Sequence, residues 1–65
     1  MKYVIRFRPV LRHEVLGYLG RGDSVVNDVS EAKRFDLVVD AAVEMARPAF
    51  DKLLGDNAAE IAEAA

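Results

Sequence analysis

Lys2-Tyr3-Val4-Ile5-Arg6-Phe7-Arg8 places Tyr3, Ile5 and Phe7 in strict alternation with Lys2, Val4, Arg6 and Arg8. A period of two is the signature of a strand with one buried face, because successive side chains project to opposite sides of a pleated backbone. β-branched and aromatic residues suit such a surface. Pro9 ends the run by removing a ladder donor. The reading predicts a strand over residues 2–8, with helices packed on its Tyr3/Ile5/Phe7 face.

Residues 10–20 admit two readings. Leu11, Val15, Tyr18 and Leu19 fall at helical spacing between Pro9 and Gly20, a plausible N1 and C-cap. Gly17 would then sit inside the helix, at about 1 kcal/mol relative to Ala. The favoured alternative is a hairpin, with strands near Val15–Leu19 and Ser24–Asn27 joined by Gly20-Arg21-Gly22-Asp23. Downstream, Asp28-Val29-Ser30-Glu31 has capping-box spacing for a single turn through Ala32–Arg34, and Phe35 returns the chain to the core.

Asp36 can cap a helix over Leu37–Ala46, with Val39, Ala42, Val43 and Ala46 on one stripe. Arg47-Pro48 interrupts it, since proline disfavours helix at the preceding residue and lacks a donor. The apolar stripe resumes with Phe50, Leu53, Leu54, Ala58 and Ile61. Gly55 reads as a C-cap, and Asn57 with Glu60 as a second capping box. Residues 36–64 therefore read as one kinked helix or several. Ala58–Ala65 buries little except Ile61 and is expected to fray unless a partner covers it. The expected fold is α+β in a single domain: a small antiparallel sheet of two or three strands, then C-terminal helices on one face. Residues 1–35 are read as mainly sheet and turns, 36–65 as helical. Phe35, Leu37, Val39, Val43, Phe50, Leu53 and Leu54 are expected in the core.

Composition narrows function mainly by exclusion. The net charge is −2, with seven basic and four acidic residues in 1–34 against two and seven in 35–65. This is not a uniformly basic nucleic-acid binder. Ten of the apolar residues are Ala, which limits the core, and there is no Cys for a disulfide or thiolate. No stretch approaches the ~20 apolar residues of a membrane span. Arg6 and Arg8 interrupt what would be a signal peptide's apolar region, so a cytoplasmic location is expected.

His13 is the sole histidine, and no carboxylates cluster with it at ligand spacing, so neither metal nor cofactor is expected. Ser24 and Ser30 stand at turn and capping positions, and no nucleophile elbow, P-loop or dinucleotide fingerprint occurs. An enzyme is not expected. Two charged surfaces remain. Lys2, Arg6 and Arg8 would stand in a row about 7 Å apart, with Arg12 and Arg21 nearby. Such a row suits phosphates or an acidic partner, or simply blocks edge aggregation. Asp36, Asp40 and Glu44 repeat at i, i+4, i+8, forming either a solvated face or a partner-facing acidic stripe.

The motif order Tyr3-Val4-Ile5, Tyr18-Leu19, a Gly turn, Asp28-Val29-Ser30-Glu31-Ala32-Lys33-Arg34-Phe35 and an Ala-rich helix resembles a cassette of small phage-encoded proteins. The resemblance covers residues 3–46. A tryptophan of that pattern is absent, with Val25 or Val26 in its place, and Arg8–Val15 reads as a longer insertion. It carries no catalytic residues. It implies an accessory protein that binds and blocks a host protein or complex, such as a defence system in the manner of anti-CRISPR inhibitors. A basic strand followed by helices is also similar to ribbon-helix-helix DNA-binding repressors. That similarity requires residues 10–19 to be helical, and it ranks second. A third possibility is a small structural homo-oligomer, possible as a homodimer through a seam of Val39, Val43, Ala46, Phe50 and Leu53.

Overall fold

The computed structural model describes residues 2–10 and 15–64. The alternating segment forms strand β1, Lys2–Pro9, at the heart of an antiparallel sheet ordered β3-β2-β1-β4. Strands β2 (Gly17–Gly20) and β3 (Ser24–Val26) make the favoured hairpin, with Tyr18 opposite Val26 and Gly20 opposite Ser24. The turn between them needs two left-handed residues, and Gly22 (φ 70°) and Asp23 (φ 53°) supply them. Ser24 Oγ closes it by donating to Arg21 O at 2.8 Å.

β1 and β2 pair directly only at Arg6↔Tyr18 and Phe7↔Gly17, where Leu16 N also donates to Phe7 O. Beyond that point the two strands part, and residues 32–35 fill the gap. Phe35 exchanges two 2.8 Å backbone hydrogen bonds with Tyr3, and Lys33 N donates to Leu19 O. Asp28 accepts from Ser30 N and starts a short 3-10 turn at Val29–Glu31, earlier and tighter than the turn expected over 32–34.

Helices α1 (Val38–Met45) and α2 (Pro48–Leu54) follow, separated at Arg47-Pro48 as expected, with Pro48 in the first helical position. They sit mid-chain, and this corrects the expectation of C-terminal helices. Gly55 (φ 57°) stops α2, and Asn57–Ala64 forms a full-length strand, β4. It pairs with β1 in unbroken register from Lys2↔Ala64 to Pro9↔Asn57. The Ala- and Glu-rich composition favours helix locally, but an isolated helix shorter than about 12–15 residues is marginal in water. An eight-residue ladder against the otherwise open edge of β1 outweighs that preference. No capping box forms at Asn57, because Glu60 turns to Arg6 instead.

One sheet face carries the core: Ile5, Phe7, Leu19, Phe35, Ala41 and Phe50, ringed by Tyr3, Met45, Leu53, Leu54, Ala59 and Ile61. The Phe7 and Phe50 rings stack at 5.4 Å, each apolar face shielding the other from water. Helix α1 meets this core through Ala41, at 0% exposure, and through Met45. The stripe expected to face inward, Val39, Ala42, Val43 and Ala46, points to solvent. Leu37, Val39 and Val43 are 58, 59 and 63% exposed, so three of the expected core residues lie outside it. The expected seam through residues 39, 43, 46, 50 and 53 is likewise divided, since Phe50 is buried while the α1 positions are not.

Candidate functional site

The period of β1 puts Lys2, Val4, Arg6 and Arg8 on the sheet face opposite the helices, and the strand register adds Tyr18, Val26 and Glu60. The basic row forms, but its charges are engaged. Arg6 Nε donates to Glu60 Oε1 at 3.0 Å, and Arg8 Nε lies 3.6 Å from the same oxygen. Lys2 pairs with Asp36. Two guanidiniums on one carboxylate leave a much weaker positive field than three free cations would. Arg21 stands apart, in the β2–β3 turn, on the rim of a groove of about 580 Å³ shared with Ser30, Glu31, Lys33 and Arg34. Arg12 and His13 lie outside the described residues.

The acidic row is dispersed as well. Asp36 precedes α1 and does not cap it. Leu37 takes the N-cap position without a side-chain bond, and Lys2 holds the Asp36 carboxyl below its ordinary range by hydrogen bond and charge. Asp40 is exposed. Glu44 turns inward, its side chain only 12% exposed, against Arg47 (3.1 Å) and Lys33 (3.5 Å). Burial there pushes the carboxyl up. The Arg47 hydrogen bond and the charges of Lys33 and Arg47 outweigh it, and the pKa is lowered. Glu44 in turn raises Arg47 by hydrogen bond and charge. Lys33 Nζ also sits 5.4 Å from the centroid of the buried Phe35 ring. The Lys33–Glu44–Arg47 cluster thus pins the 32–35 segment to the junction of α1 and α2, a structural task rather than a partner-facing one.

Exposed large hydrophobics occur at Val10, Val15, Leu16, Val25 and Val29, and they concentrate at α1. Val39 and Val43 are exposed on α1, with Ala42 and Ala46 completing a helical stripe, and Leu37 and Val38 are exposed at the start of the helix. A monomer rarely exposes contiguous large aliphatics on one element without a use for them. The sequence carried the signal for this stripe, in the spacing of Val39, Ala42, Val43 and Ala46. The same spacing also describes a core-facing helix. Only the competing pair Ala41 and Met45, four residues apart, marks the other face.

Among the described residues no group of three or more His, Cys, Asp or Glu could hold a metal ion. No helix among them is long and apolar enough to cross a membrane. No family model, curated protein or solved structure matches the chain.

Proposed function

We propose that this chain is a non-enzymatic protein-binding module that lays the exposed stripe of α1 into an apolar groove of its partner and blocks that surface. The observation that carries the reading is the solvent-facing row Val39, Ala42, Val43 and Ala46 on a helix whose opposite face is already used by the core. Valine is stiff at χ1, so docking it immobilises little that is not already fixed. A helix laid in a groove through i, i+3, i+4, i+7 anchors is a recurring recognition mode. Asp40, exposed beside the valines, selects a groove with a basic rim.

In the manner of the phage-encoded accessory proteins that the sequence resembles, the partner is a host protein or complex, reached in the bacterial cytoplasm. A ribbon-helix-helix repressor fits poorly. Its strand must be free to pair with a second copy, whereas both edges of β1 are occupied by β2 and β4.

The test is affinity capture from bacterial lysate at about 150 mM salt, where surface charge is screened within ~8 Å. It is followed by titration of the purified partner against two double variants whose circular dichroism matches the parent. Val39→Asp/Val43→Asp should weaken a one-to-one complex by about 100-fold or more, as loss of central anchors does. Arg6→Gln/Arg8→Gln should leave it near the parent value. The reverse pattern would move the interface to the sheet. Salt-steep binding to duplex DNA with no protein partner would overturn the proposal in favour of a DNA-binding role.

A further inference from the structure

We propose that the outer edge of β4 is a self-association site, at which a second copy of this chain adds its own β4 antiparallel and joins the two sheets into one. Tyr3 exchanges both backbone hydrogen bonds with Phe35, and Phe7 O accepts from Leu16, so odd-numbered residues of β1 bond toward β2. Even-numbered residues bond toward β4, where their partners are Ala64, Ala62, Glu60 and Ala58. Backbone groups alternate in direction along a strand. Asn57, Ala59, Ile61 and Glu63 therefore aim their N–H and C=O groups outward. Among the described residues no backbone bond outside the β1 ladder reaches any of them.

The two edges of the sheet are managed differently. At one, β3 is three residues long. At the other, β4 is eight residues long, its register unbroken by a bulge, and it contains neither Lys nor Pro. Short strands, lysines, prolines and bulges are the usual devices that block strand addition. The Ala-rich β4 edge has none of these. Charge also discourages strand addition, but of its two charged side chains Glu60 is already engaged by Arg6 and Arg8, which leaves Glu63.

The sequence of β4 indicates a second copy as the occupant. A two-fold axis normal to the sheet passes midway between the two strands, between one residue and its own symmetry mate. Centred on Glu60, it would set two carboxylates directly opposite, which is unfavourable. Centred on Ile61, it sets Ile61 opposite its symmetry mate, Ala59 opposite Glu63, Glu60 opposite Ala62 and Ala58 opposite Ala64. No like charges then face each other directly. Each Glu60 already meets Arg6 and Arg8 of its own chain. Ala59 and Ile61 already border the core, so the Ile61 pair carries apolar packing across the junction. This register forms about six intermolecular backbone hydrogen bonds, two at each of its three outward-facing pairs. The product is a continuous eight-stranded sheet with all helices on one face.

Sedimentation equilibrium of the full chain over a concentration series tests this. The expected mass rises from 7.2 kDa toward twice that value. Glu63→Pro removes only an outward N–H and leaves every β1–β4 bond in place, so it should raise the dissociation constant about tenfold or more. Val39→Asp/Val43→Asp should leave self-association unchanged. Ile61→Cys should form an intermolecular disulfide on mild oxidation while Glu63→Cys should not, because only residue 61 faces its own copy. A mass fixed at 7.2 kDa up to about 1 mM would overturn the proposal. So would a dimer that survives Glu63→Pro with native circular dichroism but is lost in Val39→Asp/Val43→Asp.

Discussion

β1 and α1 each present an amphipathic pattern, and they resolve it in opposite ways. In β1 the alternating Ile5 and Phe7 face the core as their spacing requires, and the charged residues face away. In α1 the longer apolar stripe, Val39, Ala42, Val43 and Ala46, is outside, and a shorter one, Ala41 with Met45, is inside. A strand has two possible faces, and one-residue slippage would bury Lys2 and Arg6 in the core, so its orientation is nearly forced. A helix can rotate continuously about its axis. Its orientation goes to whichever contacts fit the space left by the sheet. Here Ala41 allows close approach, and the Glu44 bridge to Lys33 and Arg47 fixes the angle.

The strongest way to break the comparison is at the strand. Phe7→Ala removes a ring stacked on Phe50 at the centre of the core, at about 3–5 kcal/mol. A chain of this length has a total stability of only about 3–10 kcal/mol. The variant should lose a third or more of the stability, with its urea midpoint lowered accordingly or the native circular dichroism lost outright. A cooperative urea transition within 1 kcal/mol of the parent would show that the core is not centred there.

Gly17→Ala comes next. A Cβ at Gly17 would lie 2.8 Å from Val26 O and 2.9 Å from Val25 Cγ1. Backbone cannot swing aside as a side-chain tip can, so the β2–β3 hairpin must shift, at about 1–3 kcal/mol. The urea midpoint should fall with an unchanged slope.

Glu44→Gln probes what holds α1 at its angle. Loss of the charge-assisted bonds should cost about 1 kcal/mol at neutral pH, less than a fully buried pair because solvent reaches the rim of the cluster. The Glu44 carboxyl has its pKa lowered in the folded state, so the folded protein releases that proton more readily than the unfolded chain. Its stabilisation is therefore complete above the ordinary glutamate range and lost as pH falls through the lowered folded value. The stability difference between parent and Glu44→Gln should shrink on acidification below about pH 4.5, the ordinary value. A gap constant down to pH 2.5 would remove Glu44 from that role.

The legible parts of the fold are those whose signal is local. Period two marks β1, the Gly-containing turn marks the hairpin, and Pro48 marks the break between the helices. β4 was not legible, because Asn57–Ala64 has the composition of a helix and becomes a strand only through β1, its partner at the other end of the chain. The pairing of the charged residues was not legible for the same reason. Lys2, Arg6 and Arg8 were correctly placed on one face, but Asp36 and Glu60, which engage them, come from distant segments. Asp36, Asp40 and Glu44 share a spacing on paper but not a surface, since α1 begins only at Val38 and Glu44 faces inward.

The smallest expected effect sharpens the comparison most. Val39→Ser/Val43→Ser alters the two most apolar positions of the expected core stripe, where true burial would make the double change cost several kcal/mol. Both side chains are about three-fifths exposed, and exposed substitutions away from caps and cores stay within about 0.5 kcal/mol each. Serine is also comparable to valine in helix propensity, so the backbone contributes little. The urea midpoint should move by no more than about a third of the shift produced in the core, while binding through α1 weakens. That combination, unchanged folding with impaired association, separates a surface kept apolar for a partner from one that stabilises the fold. A loss of stability as large as that of Gly17→Ala would instead return the valines to the core and remove the basis for a docking helix.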